Sequence, residues 1–259
     1  MSEALHAEWT KLRTLPATWW LLLGVVAATV IIGATVSASV SCTPAGACHA
    51  DVTKLSLTGT YLGQAAIAIV AVLAVSGEYA TGMIATTLAA MPRRTTVLAA
   101  KAGVVTAVTL AAGLPAVLGS VLAGRLILPG HGYASANGYP ALSLASGTVL
   151  RAAAGTVLYL ALIALLSLGV ATAIRDSAVA IGAVLGLLYL FPILAQVAGN
   201  PGVARQLQQI GPMTAGLQIQ ASTGLRSLPI GPWAGLGVAA AWAAAALAAG
   251  ALALCRRDA

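Results

Sequence analysis

The side chains of this chain that could act on something dissolved in water are concentrated between Glu78 and Lys101. Glu78 opens the segment, Arg93 and Arg94 lie near its end, and Lys101 closes it. A loop between two spans needs only a few polar residues, whereas this segment is long enough to build a helix and is charged at both ends. The charges predict a surface that contacts a partner in the aqueous phase.

The rest of the chain offers no catalytic or nucleotide-binding pattern. A phosphate loop requires Gly-x-x-x-x-Gly-Lys followed by Ser or Thr, and none of the three lysines follows a glycine. The histidines His6, His49 and His131 are scattered and form no metal-binding motif. We therefore predict that the chain is not an enzyme and holds no metal or cofactor of its own.

The elements that position these residues must be membrane helices. Apolar residues make up 59% of the chain and charged residues 7%, with a mean hydropathy of +0.95; soluble domains carry about 25% charged residues. A helix needs about 20 apolar residues to cross a bilayer. The sequence predicts an all-α membrane protein, one transmembrane domain over residues 1–259 with six spans, at about residues 19–40, 59–77, 102–124, 148–174, 177–198 and 231–254.

The basic residues account for the net charge of +7 without a nucleic-acid partner. They cluster at span ends, where they set orientation. If the N-terminus is inside, eight of the 13 lie on the cytoplasmic side. We predict a multi-pass protein of the cell membrane with both termini in the cytoplasm.

The leader before the first span has an amphipathic pattern. Leu5, Trp9 and Leu12 recur at helical spacing, with the charges of Lys11 and Arg13 beside them. Such a pattern is typical of a helix lying in the headgroup plane, so we predict an interfacial helix over residues 1–16. A frayed leader is the alternative.

The outer connections carry two further features. Cys42 and Cys48 share the first outer loop, where they form either a disulfide, as an oxidising compartment would allow, or two free thiols. The segment 199–230 carries prolines and glutamines with apolar residues at helical spacing. It predicts short helices at the outer surface, between spans five and six.

The span interiors contain no carboxylate or ammonium group of the kind that marks proton or ion coupling, which argues against a secondary transporter. Gln64 and the small-residue spacing of Gly182 and Gly186, which allows helices to approach closely, are our candidates for a dimer seam and a translocation path.

The segment Glu78-Tyr79-x-x-Gly82-Met83-Ile84-x-x-x-Leu88, followed by Met91-Pro92-Arg93-Arg94 and Lys101, resembles the ABC-2 type permeases, the membrane subunits of one class of ATP-binding-cassette exporters. The leader Glu8-Trp9-Thr10-Lys11-Leu12-Arg13 and the motif Gly211-Pro212-x-x-Ala215-Gly216 are also similar to that family. The likeness extends over the whole chain.

The resemblance implies a permease that pairs with a second copy, or a related permease, and with two copies of a separate ATPase subunit that would hold ATP and Mg. The connection between spans two and three would be a coupling helix docked on that ATPase: Glu78 would mark the span-two exit and Gly82 would permit the turn. Met83, Ile84, Leu88 and Met91 would form its apolar part, Pro92 would end it, and Arg93 and Arg94 would follow.

The implied function is export of a hydrophobic or amphipathic substrate through the lipid membrane. Ala80 and Ala85 stand where family members often carry basic residues, which leaves the identity of the ATPase open. The alternative function is a non-transport assembly or sensor-complex subunit with the same fold.

Overall fold

The computed structural model describes residues 16–42, 50–80, 82–83, 94–134, 138–139 and 141–257. Within these ranges six helices are long and apolar enough to cross a membrane, and no strand is present. This confirms the predicted all-α, six-span architecture of a multi-pass membrane protein. The long helices are α1 (Pro16–Ser39), α3 (Thr60–Ala80), α4 (Arg94–Ile127), α5 (Gly147–Ile174), α6 (Ser177–Val197) and α9 (Pro232–Arg257).

Short helices fill the connections on one side of the bundle. They are α2 (Val52–Ser56), α7 (Pro201–Ile210), α8 (Pro212–Gly216) and two 3₁₀ turns, Leu128–His131 and Leu217–Gln220. We call this the cap side; the opposite side, where α3 ends and α4 begins, is the loop side. The helices predicted between spans five and six are therefore present as α7 and α8.

Several helices extend beyond the predicted spans, the start of α4 most of all. Helix α4 begins at Arg94, two turns before the predicted start near residue 102, because residues 94–101 contain no glycine or proline to interrupt it. Helix α1 begins at Pro16, which was expected to end the leader helix. Proline suits the first helical turn, where its missing N–H has no partner to lose.

Helix α5 is the centre of the bundle. In an 18-residue apolar stretch of α5, 67% of the residues are buried; the corresponding shares are 17% in α6 and 22% in α9. It packs against α3, α4, α6 and α9, most extensively against α9. Glycines allow the closest approach: a Cβ added at Gly250 of α9 would lie 2.8 Å from the carbonyl oxygen of Gly169 in α5. In lipid no hydrophobic effect drives helices together, so close backbone packing stabilises their association instead.

Candidate functional site

A buried ion pair joins the two helix ends that flank the predicted coupling segment. Lys101 Nζ lies 2.7 Å from Glu78 Oε1, and the two side chains are only 5% and 10% exposed. Glu78 is in the last turn of α3, and Lys101 is two turns into α4. The pair therefore fixes the distance between α3 and α4 where the chain leaves and re-enters the bundle.

Arg175 extends this cluster to α5 and α9. Its guanidinium carbon lies 5.3 Å from the ring centroid of Tyr79, and its Nη2 donates to the carbonyl of Ala253 at 3.3 Å. Its backbone has φ of 69°, a left-handed conformation that is uncommon for a residue with a side chain. Arg175 and Asp176 alone connect α5 to α6, and the Asp176 carboxylate caps α6 by accepting from Val179 N–H at 2.8 Å.

The sequence identified the two charges of the ion pair but not that they meet. The sequence places Lys101 at the end of the 78–101 segment, and Arg175 is one of the basic residues at span ends. The available signal is that each charge borders a predicted span, Glu78 just after the second span and Lys101 just before the third.

The structure describes residues 82 and 83 of the turn that follows α3. Gly82 has φ of 71° and donates its N–H to the Tyr79 carbonyl at 3.3 Å, a left-handed conformation that glycine adopts readily. Met83 follows and is exposed. Arg94 is the first residue of α4. The remaining predicted coupling residues Ile84, Leu88, Met91, Pro92 and Arg93 lie outside the described residues, as do Leu5, Trp9, Lys11, Leu12 and Arg13 of the predicted interfacial helix.

A second polar cluster lies inside the bundle, nearer the cap side. Gln64 of α3 is fully buried; its Oε1 accepts from the Tyr159 hydroxyl of α5, and its Nε2 donates to the Tyr189 hydroxyl of α6 at 3.5 Å. Tyr189 in turn donates to the backbone carbonyl of Tyr61. Because an unpaired polar group in an apolar interior is costly, this chain of bonds fixes the rotation of α3, α5 and α6 relative to one another.

The structure does not bring the dimer and path candidates together. Gln64 is enclosed within the protomer, whereas Gly182 and Gly186 lie on the exposed face of α6, where an added Cβ would meet no atom within 4 Å. That face has no neighbour within the described chain. Cys42 is disulfide-bonded, and Cys48 lies outside the described residues.

On the cap side, Asp51 joins α2 to the segment after the second 3₁₀ turn. Its Oδ1 accepts from the Ser222 hydroxyl at 2.6 Å and from the N–H groups of Thr53 and Lys54, while its Oδ2 accepts from the N–H groups of Ser222 and Thr223. Burial raises the pKa of the Asp51 carboxyl, but these hydrogen bonds outweigh burial and hold that pKa below its usual value. The carboxylate is thus a fixed structural link.

Within the described ranges no group of three or more His, Cys, Asp or Glu side chains could hold a metal ion. The Glu78–Lys101 pair can transmit a displacement or hold two helices together, which is a mechanical property.

Comparison of this chain with protein-family models and with curated proteins finds no match.

Proposed function

We propose that this chain is the membrane-spanning permease subunit of an ATP-binding-cassette exporter, with ATP hydrolysis on a separate subunit. The observation that carries the proposal is the buried ion pair at the base of the 78–101 connection. A segment that receives force from a partner needs rigid anchorage at both ends, or its movement is lost in local bending. The Glu78–Lys101 pair supplies that anchorage, and the resemblance of the surrounding sequence supplies the kind of partner.

In this proposal the loop side faces the cytoplasm of a cell-membrane protein, and two ATPase subunits dock on the 78–101 connections of two permease copies. Arg175 would carry displacement of α3 onward, since its guanidinium contacts Tyr79 of α3 and the end of α9. The exposed Gly182 and Gly186 face of α6 would receive the second permease copy. The path would take a hydrophobic or amphipathic substrate.

The test begins by asking whether a protein encoded next to this chain carries a phosphate loop, as the proposal expects. It should co-purify with the permease, and the reconstituted complex should show substrate-stimulated ATP hydrolysis. Leu88→Ala and Arg93→Ala should lower that stimulation at least about tenfold, the loss of roughly 1.4 kcal/mol of coupling. Arg226→Ala, which removes an exposed cap-side arginine, is the matched control and should leave it unchanged.

The results separate the two functional hypotheses. If stimulation survives both loop variants, the 78–101 connection does not couple ATP hydrolysis to the permease. If the ATPase co-purifies but the complex moves no hydrophobic probe across the membrane, the assembly or sensor-complex alternative replaces the exporter.

A further inference from the structure

A cavity of about 380 Å³ opens on the cap side, between α2, the start of α3, the end of α6 and the helices α7 and α8. A water molecule takes up about 30 Å³ in the liquid, so the space equals roughly ten waters. Its polar walls come from Lys54, Tyr61, Gln196, Gln208 and Gln218. This cavity is distinct from the loop-side cluster and adjoins the Gln64 network at Tyr61, whose carbonyl accepts from Tyr189.

The polar wall presents hydrogen-bonding groups that have no partner in the described part of the chain. Lys54 Nζ, the Gln196 and Gln208 amides and the Tyr61 hydroxyl make no hydrogen bond there, and the Gln218 amide donates to the Thr214 carbonyl at 3.1 Å while its buried Oε1 accepts from no described group. Glutamine and tyrosine side chains can donate or accept, whereas a lysine carries three donors and no acceptor. A ligand that reaches Lys54 must therefore bring an acceptor to it.

The charge balance selects an anion. In the part of the chain that the structure describes, no carboxylate lies within 4.0 Å of Lys54 Nζ. The sequence places a single acidic residue, Asp51, in the cap-side connections, and five donors already surround its carboxylate. The positive charge of Lys54 is left for a ligand, and charge-assisted hydrogen bonds are about twice as strong as neutral ones.

The remaining wall is apolar. Pro192, Leu228 and Pro229 line the cavity and are partly exposed, beside the buried Met213 and Leu217. A small inorganic anion would leave the partly exposed apolar side chains uncovered, whereas the first carbons of an alkyl chain would cover them.

We propose that this cavity binds the anionic headgroup of a single-chain or double-chain amphiphile, with Lys54 on the negative charge and Gln208 and Gln196 on the remaining acceptors. The ligand chemistry is the same for a membrane lipid and for a transported amphiphile. Binding does not depend on the proposed export function, whereas assignment of the ligand as cargo does.

Isothermal titration of the permease in zwitterionic-lipid nanodiscs tests the site, with decyl phosphate as the probe and empty nanodiscs as the blank. Binding should saturate. Lys54→Gln should weaken it at least about tenfold, as expected for loss of a hydrogen bond to a charged group, and Gln208→Leu should weaken it less. Arg226→Gln removes a cap-side cation outside the cavity and should leave affinity unchanged. Lys54→Arg should retain binding, and equal melting temperatures of Lys54→Gln and Lys54→Arg would show that the loss in Lys54→Gln is not due to unfolding.

Three results would overturn the proposal: decyltrimethylammonium binding as tightly as decyl phosphate, Lys54→Gln and Arg226→Gln causing equal losses, or inorganic phosphate binding as tightly as the alkyl ester. Once binding is established, stimulation of ATP hydrolysis in the reconstituted complex identifies the source of the ligand. Stimulation by decyl phosphate that Lys54→Gln abolishes marks cargo, and binding without stimulation marks a resident lipid.

Discussion

Removing one member of the Glu78–Lys101 pair should destabilise the protein far more than removing both. At 2.7 Å and an effective dielectric of about 20, the Coulomb attraction is about 6 kcal/mol, which the cost of withdrawing both charges from water largely offsets. Lys101→Met leaves Glu78 buried without the ammonium it contacts and should cost about 3–5 kcal/mol. Glu78→Met should cost a similar amount.

The double variant Glu78→Met/Lys101→Met should lie within about 1 kcal/mol of the wild type, because a buried pair can be exchanged for apolar side chains of similar volume at little cost. The free energy of unfolding can be measured by titrating mixed micelles with dodecyl sulfate and following the fluorescence of the five tryptophans. Arg226→Met, which alters an exposed cation, is the control and should change stability by less than about 0.5 kcal/mol.

The decisive quantity is the interaction free energy from this double-mutant cycle. Costs that simply add in the double variant would refute the reasoning, because they would mean that the two charges are stabilised independently of each other. A strong dependence of the Lys101→Met cost on salt would also refute it, since screening acts on exposed pairs and little on buried ones.

Three further outcomes follow from the packing and the hydrogen bonds. Gly250→Ala should cost about 1–3 kcal/mol by overpacking, whereas Gly237→Ala on the same helix meets open space and should be neutral or slightly stabilising; apparent melting temperatures in detergent compare the two. Tyr159→Phe should cost about 1–3 kcal/mol by depriving the buried Gln64 amide of its donor, and unchanged chemical stability would contradict that bond. The lowered pKa of Asp51 means that its stabilisation is complete above the usual value of 3.8 and is lost as pH falls through the lower folded value; Asp51→Asn should remove this acid-dependent loss from the melting-temperature profile.

The existence of the six spans was predictable because an apolar run of bilayer length has one stable conformation in lipid, the helix. Their ends were less predictable. Nothing in residues 94–101 stops a helix, so α4 extends to Arg94, and the charge of Lys101 is accommodated inside the protein by a carboxylate from another span. A prediction that considers each span separately therefore places such a lysine at the membrane surface.

The Gln64 network was beyond sequence reasoning for a different reason. The network joins residues far apart along the chain: Gln64, Tyr159 and Tyr189. Their side chains meet only when α3, α5 and α6 are each rotated to one particular face. A helix that is apolar on all sides does not reveal which face turns inward. The turn at Gly82 was local, and glycine's backbone freedom made it predictable.

The two-residue connection between α5 and α6 makes α6 a lever. The loop-side end of α6 is held next to the most buried helix of the bundle. Because α6 has 21 residues and a helix rises 1.5 Å per residue, its other end lies about 32 Å away. A tilt of about 10° around Arg175 would displace the cap-side end by roughly 5 Å, and it would first have to break the bonds of Tyr189 to Gln64 and to the Tyr61 carbonyl. Pro192 and Gln196 sit near that end and form part of the cavity wall, so a small rotation at the pivot would change the width of the cavity on the opposite face of the membrane.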